Sequence, residues 1–379
     1  MSPVQNGPVR GQAVPDETVR NRTGAKATAA ATVRVDMRRG LLRAGRWSLR
    51  FDTRAVLVCA VLAVTAALAM VLAVGTGTYE LSPAEVVRTL FGDGPPGAGF
   101  VVLDLRLPRA VVAALVGFAM GAAGAVFQSL TRNPLGSPDV IGFGNGASAG
   151  ALVAIIVLDA GAAQTALGAV LGGLATAAAV YLLAWKRGVH GYRLVLVGIG
   201  ASSVLGAATS FLFVRADIGK AAQAASWMIG SLNARDWNDV TVVGLGLVAL
   251  LPVILVCARR LTLLEMGDDT AAALGVPPER TRLVLLSAGT GLTALAVAAA
   301  GPIPFVALAA PQLARRVTRA SGPGVLPAAW MGAFLLTAAD LVTQRVTGSA
   351  LLPVGVLTGV AGGIYLAWLL TAERRGARL

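Results

Sequence analysis

The chain is a succession of apolar blocks, most of about 18 to 22 residues, separated by short polar breaks. About 20 apolar residues in helical form cross the hydrocarbon core of a bilayer. Lipid offers no partner to an unpaired backbone N–H or C=O, so blocks of this kind must fold as helices. Ten spans are read, at roughly 55–75, 108–130, 141–158, 162–185, 193–214, 239–258, 282–300, 303–318, 326–346 and 352–371. The eighth is short and carries prolines. The predicted fold class is therefore an all-α polytopic membrane protein with about ten transmembrane helices. Composition agrees, since only 13% of residues are charged against about a quarter in soluble domains.

The net charge of +13 does not indicate nucleic acid. The basic residues sit in the N-terminal tail and between spans, not on one aromatic-studded face. Cys59 and Cys257 fall inside apolar blocks and read as buried thiols. With His190 the one histidine and no Cys/His cluster, a zinc or haem site is not expected, and no metal or cofactor is assigned to this chain. Residues 1–54 are polar, rich in Arg, Ala, Thr and Gly, and without hydrophobic periodicity. They are expected to be a disordered basic tail lying against anionic lipid. The block after them is long enough to be retained as a span rather than a signal peptide. Residues 55–372 form the membrane domain, and 373–379 a short C-terminal tail.

Lys and Arg set the orientation. With the N-terminus inside, 25 of the 32 basic residues fall on the inner side, as the positive-inside bias requires. Both termini are expected in the cytoplasm, and the chain in the cytoplasmic membrane.

Glycine is unusually frequent, 46 of 379 residues, and much of it recurs four residues apart. Gly117 and Gly121, then Gly142, Gly146 and Gly150, Gly168 and Gly172, and Gly359 and Gly363 are each placed on one helix face. Helix association in lipid relies on close approach at such small residues. The stretch "TRNPLGSPDVIGFGNGASAG" superficially suggests a phosphate loop. A dinucleotide fingerprint needs a preceding strand and a soluble βαβ unit, and neither is present. Close helix packing is the expected role.

Ionisable residues inside spans are costly and mark candidate sites. Asp340, in "TAADLVTQR", is the clearest, and is expected to cap or pair near the outer end of the ninth span with Arg345. The scarcity of such groups argues against an ion-driven carrier, which usually needs several. A membrane-embedded enzyme would need paired carboxylates, a His/Ser set or metal ligands at a cavity, and none is seen. Arg106 and Arg109, in "LRLPRA", stand at the outer entrance of the second span. They read either as interfacial anchors or as a dock for an acidic partner outside.

Ala258–Arg282 is the longest inner connection. Thr262 and Glu265 make a T-x-x-E box predicting a short helix. Gly267 is expected to stop it, and Asp268 or Asp269 to cap a second helix that ends at Gly275. Two short helices at a right angle would form a cytoplasmic knob at about 262–275.

Several motifs carry a resemblance. "RLPRAVVAALVGFAMGAAGAVFQSLTRNPLGSPDVIGFGNGASAGA", "LLEMGDDTAAALGV", "AGPIPFVALAAPQLAR" and "ADLVTQRVTGSALLPVGVLTGVAGGIYLAWLL" resemble, in order, the permease family of iron-siderophore and cobalamin ABC importers. The likeness covers about residues 55–372. It implies ten helices with an inverted repeat of helices 2–5 and 7–10. It also implies a second, homologous or identical permease, two cytoplasmic ATPases holding ATP and magnesium, and an extracytoplasmic binding (lipo)protein. By resemblance, Arg106 and Arg109 dock that binding protein, with Arg345 a weaker third because Gln344 holds the usual place. Asn133 and Leu135 of "RNPLG" correspond to the inner gate, opposite "GVHGY" with His190 and Tyr192. The segment with Glu265, Gly267, Asp268, Asp269, Ala272, Leu274 and Gly275 corresponds to the ATPase-coupling helices. Pro304 stands where the family has glycine and Gln312 where it has histidine, both in the eighth span. Asn145, Ser148, Ser202, Ser203 and Thr209 are candidate pathway-lining residues, each equally placed to bond another helix. "SWMIGSLNARDW" and "VTQRVTGS" look more like siderophore permeases, of the ferric enterobactin type, than cobalamin ones. Cobalamin, haem and an ion-coupled carrier remain as alternatives.

Overall fold

A computed structural model describes residues 39–44, 47–186, 191–320, 322–347 and 352–376. Strands β1 (Arg39–Ala44) and β2 (Trp47–Asp52) lead into α1 (Thr53–Gly75) and α2 (Pro83–Leu90). A π-helical stretch, Phe100–Arg106, runs directly into α3 (Leu107–Thr131). Then come α4 (Phe143–Leu152), prolonged by π-helical Val153–Val157, and α5 (Ala162–Ala184), α6 (Gly191–Arg215) and α7 (Ile218–Met228). The second half comprises α8 (Trp237–Glu265), α9 (Asp268–Ala273), α10 (Pro278–Ala300), α11 (Val306–Thr318), α12 (Val325–Thr347) and α13 (Val354–Gly376).

Seven of the described helices are long and apolar enough to cross a membrane. Two shorter apolar helices, Phe143–Val157 and Val354–Leu369, and the 13-residue α11 complete the set of ten that hydropathy predicts. The protein is a multi-pass membrane protein. α3 and α10 are the most enclosed, whereas α1, α6 and α8 present broad apolar faces outward. α3 is central because its glycines let neighbouring helices approach closely. A Cβ added at Gly117 or Gly121 would overlap the backbone of Gly332 or Ala328 in α12, and one at Gly124 that of Ala307 in α11. The α4–α5 seam is closed the same way, with Gly146 and Gly150 against Gly172 and Gly168. Gly142 instead caps α4 at φ 93° and abuts Gly198 and Ser202 of α6. In α13, Gly359 faces Pro304, Gly362 lies against the Phe305 ring, and Gly363 meets nothing among the described residues.

Side-chain links distinguish the two ends of the bundle. At the end where α1 begins, the N-side, Arg54 donates to the Val317 carbonyl at the end of α11. At the opposite, far side, Arg106 donates to the Val74 and Tyr79 carbonyls, and Trp237 Nε1 to the Leu103 carbonyl. The halves echo each other with opposite direction. α3 ends at a left-handed residue, Arg132, and short α4 begins at left-handed Gly142. α10 ends at left-handed Gly301, and short α11 begins at left-handed Phe305.

Several expectations change. Strands β1 and β2, within the segment read as a tail, pair antiparallel; residues 1–38 and 45–46 lie outside the described residues. The third span is shorter than 141–158, because Gly142 turns the chain before α4 starts. No helix begins at Thr262: α8 runs unbroken to Glu265, and Thr262 Oγ1 donates to the Ala258 carbonyl four residues back. The knob is thus the end of α8, a break at Gly267 with φ 118°, and α9. Asp268 and Asp269 occupy the first turn of α9, and Gly267 holds the cap position. α13 continues to Gly376, into the segment read as a tail.

Candidate functional site

On the far side, Arg109 and Asp340 form an ion pair across α3 and α12 with Nη2–Oδ1 2.7 Å. The Asp340 side chain is 1% exposed, and Gln344 donates to its second oxygen at 2.8 Å. Arg345 is therefore not the partner expected of Asp340. Arg106 is also committed inward, to the two carbonyls that close the turn after α1. Arg106, Arg109, Asn233, Thr343 and Gln344 line a polar cavity of about 230 Å³. A second cavity of about 550 Å³ adjoins it, sharing Gln344 and edged by exposed Arg345. All three outer arginines thus gather around one mouth.

On the N-side, α3 ends in a doubly bonded turn: the Asn133 N–H reaches the Gln128 carbonyl and the Arg132 N–H that of Ser129. This is a Schellman motif, with Arg132 at φ 52° where glycine is the usual occupant. Asn133 Oδ1 then accepts the Leu135 N–H at 2.9 Å, folding "RNPLG" into a compact turn. Gly191, the first residue of α6, packs on Leu130 and Thr131. The start of "GYRL" is therefore brought beside the turn, with Tyr192 exposed; His190 lies outside the described residues. Gln312 binds the turn from the other side. Its Nε2 donates to the Pro134 carbonyl at 2.7 Å, and its Oε1 accepts from the Tyr365 hydroxyl of α13 at 3.3 Å. A residue noticed in the sequence only as a departure becomes a link between three elements. Downstream, Asp139 has one oxygen, Oδ2, sealed from solvent without a partner, and burial pushes its carboxyl up to about 6.

The knob is clearly two-sided. Asp269, Ala272, Leu274 and Gly275 are exposed, and Ala271 is buried beneath them. Glu265 and Asp268 point back into the protein. Glu265 meets Arg315 of α11 at 3.4 Å, and Asp268 meets Arg132 and Arg282. Sequence reading missed Arg132 and Arg282, because their partner lies across a loop. The candidate lining residues differ in exposure. Asn145 and Ser203 are exposed, Ser148 and Thr209 buried. The hydroxyls of Ser202, Ser203 and Thr209 donate to carbonyls of their own helix.

The model of the FecCD transport family matches residues 60–372. The chain belongs to the FecCD transport family. Among its relatives is the ferric enterobactin transport system permease protein FepG of Escherichia coli, 43% identical over 85% of this chain and 98% of the relative. The achromobactin transport system permease protein CbrC of Dickeya dadantii is 36% identical over 88% and 96%. The iron(3+)-hydroxamate import system permease protein FhuG of Bacillus subtilis is 34% identical over 82% and 96%. A solved metal-chelate type ABC transporter in an inward-facing conformation superposes with a TM-score of 0.76 at 27% identity, covering 84% of this chain and 99% of that one. The FecCD match begins after β1 and β2, so these strands precede the family's part of the molecule.

Proposed function

We propose that this chain is one permease half of an ATP-driven importer that carries ferric siderophores inward across the cytoplasmic membrane. The observation that carries the proposal is the full-length likeness to several siderophore permeases, on a fold with an exposed knob at one end and an arginine-rimmed mouth at the other. The N-side is then cytoplasmic, in keeping with the excess of Lys and Arg on that side. A second copy or homologue supplies the other half of the passage. The exposed face of α9, with Asp269 and Leu274, docks a cytoplasmic ATPase, which holds ATP and magnesium; this chain supplies no cofactor and catalyses no reaction. An extracytoplasmic siderophore-binding (lipo)protein docks over the far-side mouth. Because Arg106 and Arg109 are already bonded internally, their part in docking is to hold the rim, while Arg345 offers an exposed charge to the acidic partner.

Two measurements test this. A tagged chain purified in mild detergent should bring down an ATPase, and replacing Leu274 by Arg should release it. A strain lacking the gene should fail to accumulate labelled iron from at least one ferric siderophore in a chelator panel. Normal uptake of all of them removes the cargo, and transport by the chain alone in vesicles with an ion gradient removes the ATP-driven class.

A further inference from the structure

Asp268, the first residue of α9, faces away from the exposed side of the knob. Its Oδ1 accepts from Arg132 Nη2, and both its oxygens accept from Arg282 Nη2 at 3.0 Å. Arg132 also donates through Nε to the Leu264 carbonyl at 3.1 Å, one turn before α9. One guanidinium therefore grips both the helix that leads into the knob and the first residue of the knob itself. That guanidinium belongs to the left-handed cap of α3, immediately before Asn133, Pro134 and Leu135. A left-handed conformation is unfavourable for a non-glycine residue, and here the side chain that glycine lacks makes the link. Arg282, only 3% exposed, is balanced by Asp268 and by Glu279 at 2.9 Å and fixes the same carboxylate to α10.

From this geometry we infer that Arg132 and Asp268 are positioning residues that pin the knob to the "RNPLG" turn, so that displacement of α9 is delivered directly to that turn. The inference deepens the proposed function and rests on it. α9 is six residues long and is set off from α8 by a glycine break. On its exposed side sits the surface assigned to the ATPase; on its inner side sits Asp268. Movement of α9 pulls Arg132, and Arg132 has no flexible stretch between it and Asn133. Gln312 anchors Pro134 from the opposite side to α11 and α13. The turn is thus held between a movable post and a fixed one, which is the arrangement a mechanical gate requires.

The experiment uses the complete complex with its co-purified ATPase in lipid nanodiscs. Leu135→Cys, with Cys59 and Cys257 replaced by Ala, reports on the turn through its rate of labelling by a maleimide. In the parent, labelling should differ between the nucleotide-free and the vanadate-trapped complex by roughly fivefold or more, the scale of a coupled two-state element. Arg132→Gln leaves the Asp268–Arg282 pair intact, so the complex should assemble and hydrolyse ATP while the labelling difference falls below twofold, about the loss of the coupling. Arg132→Lys should recover part of it. Retention of the full labelling difference in Arg132→Gln overturns the inference. Release of the ATPase by Arg132→Gln also overturns it, since the residue would then serve docking. A parent chain that binds no ATPase overturns the proposed function itself.

Discussion

The Arg109–Asp340 pair joins residues 231 positions apart, and among the described residues it is the one ion pair that either charge makes. Breaking a buried pair by removing one member costs about 3–5 kcal/mol, because the other charge is stranded. Asp340→Asn should therefore lower thermal stability of the detergent-solubilised protein markedly. The double variant Arg109→Gln, Asp340→Asn should recover much of the loss, and equal melting of single variant and parent would refute the pairing. The sequence suggested Arg345 because it is near, but five residues along a helix is about 140° around it. Gln344, four residues along, faces Asp340 and bonds it. The real partner is invisible to any reading of one helix at a time. Asp139 makes a pH-dependent claim. Its carboxyl is raised from 3.8 to about 6, so the folded state holds its proton where the unfolded chain has released it. Stability therefore falls as pH rises from about 4 to about 6 and stays lowered above that. Asp139→Asn should stabilise the protein above that window, by a cost on the order of 2–3 kcal/mol removed at roughly 1.4 kcal/mol per pKa unit. Well below the window it should change little. A melting-temperature gain independent of pH would count against the burial of that carboxyl.

Elements were the most legible level, since lipid forces helix wherever the chain is apolar for long enough. Their ends were less so. The T-x-x-E box at Thr262 is also an ordinary spacing inside a helix, and α8 simply continues through it. α2 and α7 lie outside the spans and carry too few apolar residues to register, although Ser82 and Glu85 form a full capping box that a closer reading of the loop would find. Glycine spacing predicted the α3–α12 and α4–α5 seams; in α13 Gly359 faces Pro304 and Gly363 meets nothing among the described residues. The seams give a direct test. Gly150→Leu drives a side chain into the Gly168 and Gly172 backbone, and overpacking typically costs about 1–3 kcal/mol. Folded yield and melting temperature should fall. Gly244→Leu, at a position where an added Cβ meets nothing within 4 Å, should lower both far less. Equal loss from the two would mean that glycine matters for flexibility rather than for approach.

For the whole molecule, the chief prediction is orientation. Tags fused to the N- and C-termini should both resist protease in spheroplasts and become cleavable in inverted vesicles. Cleavage of either tag in spheroplasts would reverse the assignment of knob and mouth. A broader consequence follows from the short α11. Its 13 residues rise about 20 Å at 1.5 Å each, against a hydrocarbon core of about 30 Å. The non-helical backbone of Gly301–Phe305 therefore lies below the lipid surface, which is tolerable only against protein or water. Gly301 packs against the Trp227 carbonyl and Gly230, and Ile303 is buried, so protein seals that gap. A short helix prolonged by sealed coil lets the chain turn within the depth of the bilayer, where a helix of full length would carry it straight through.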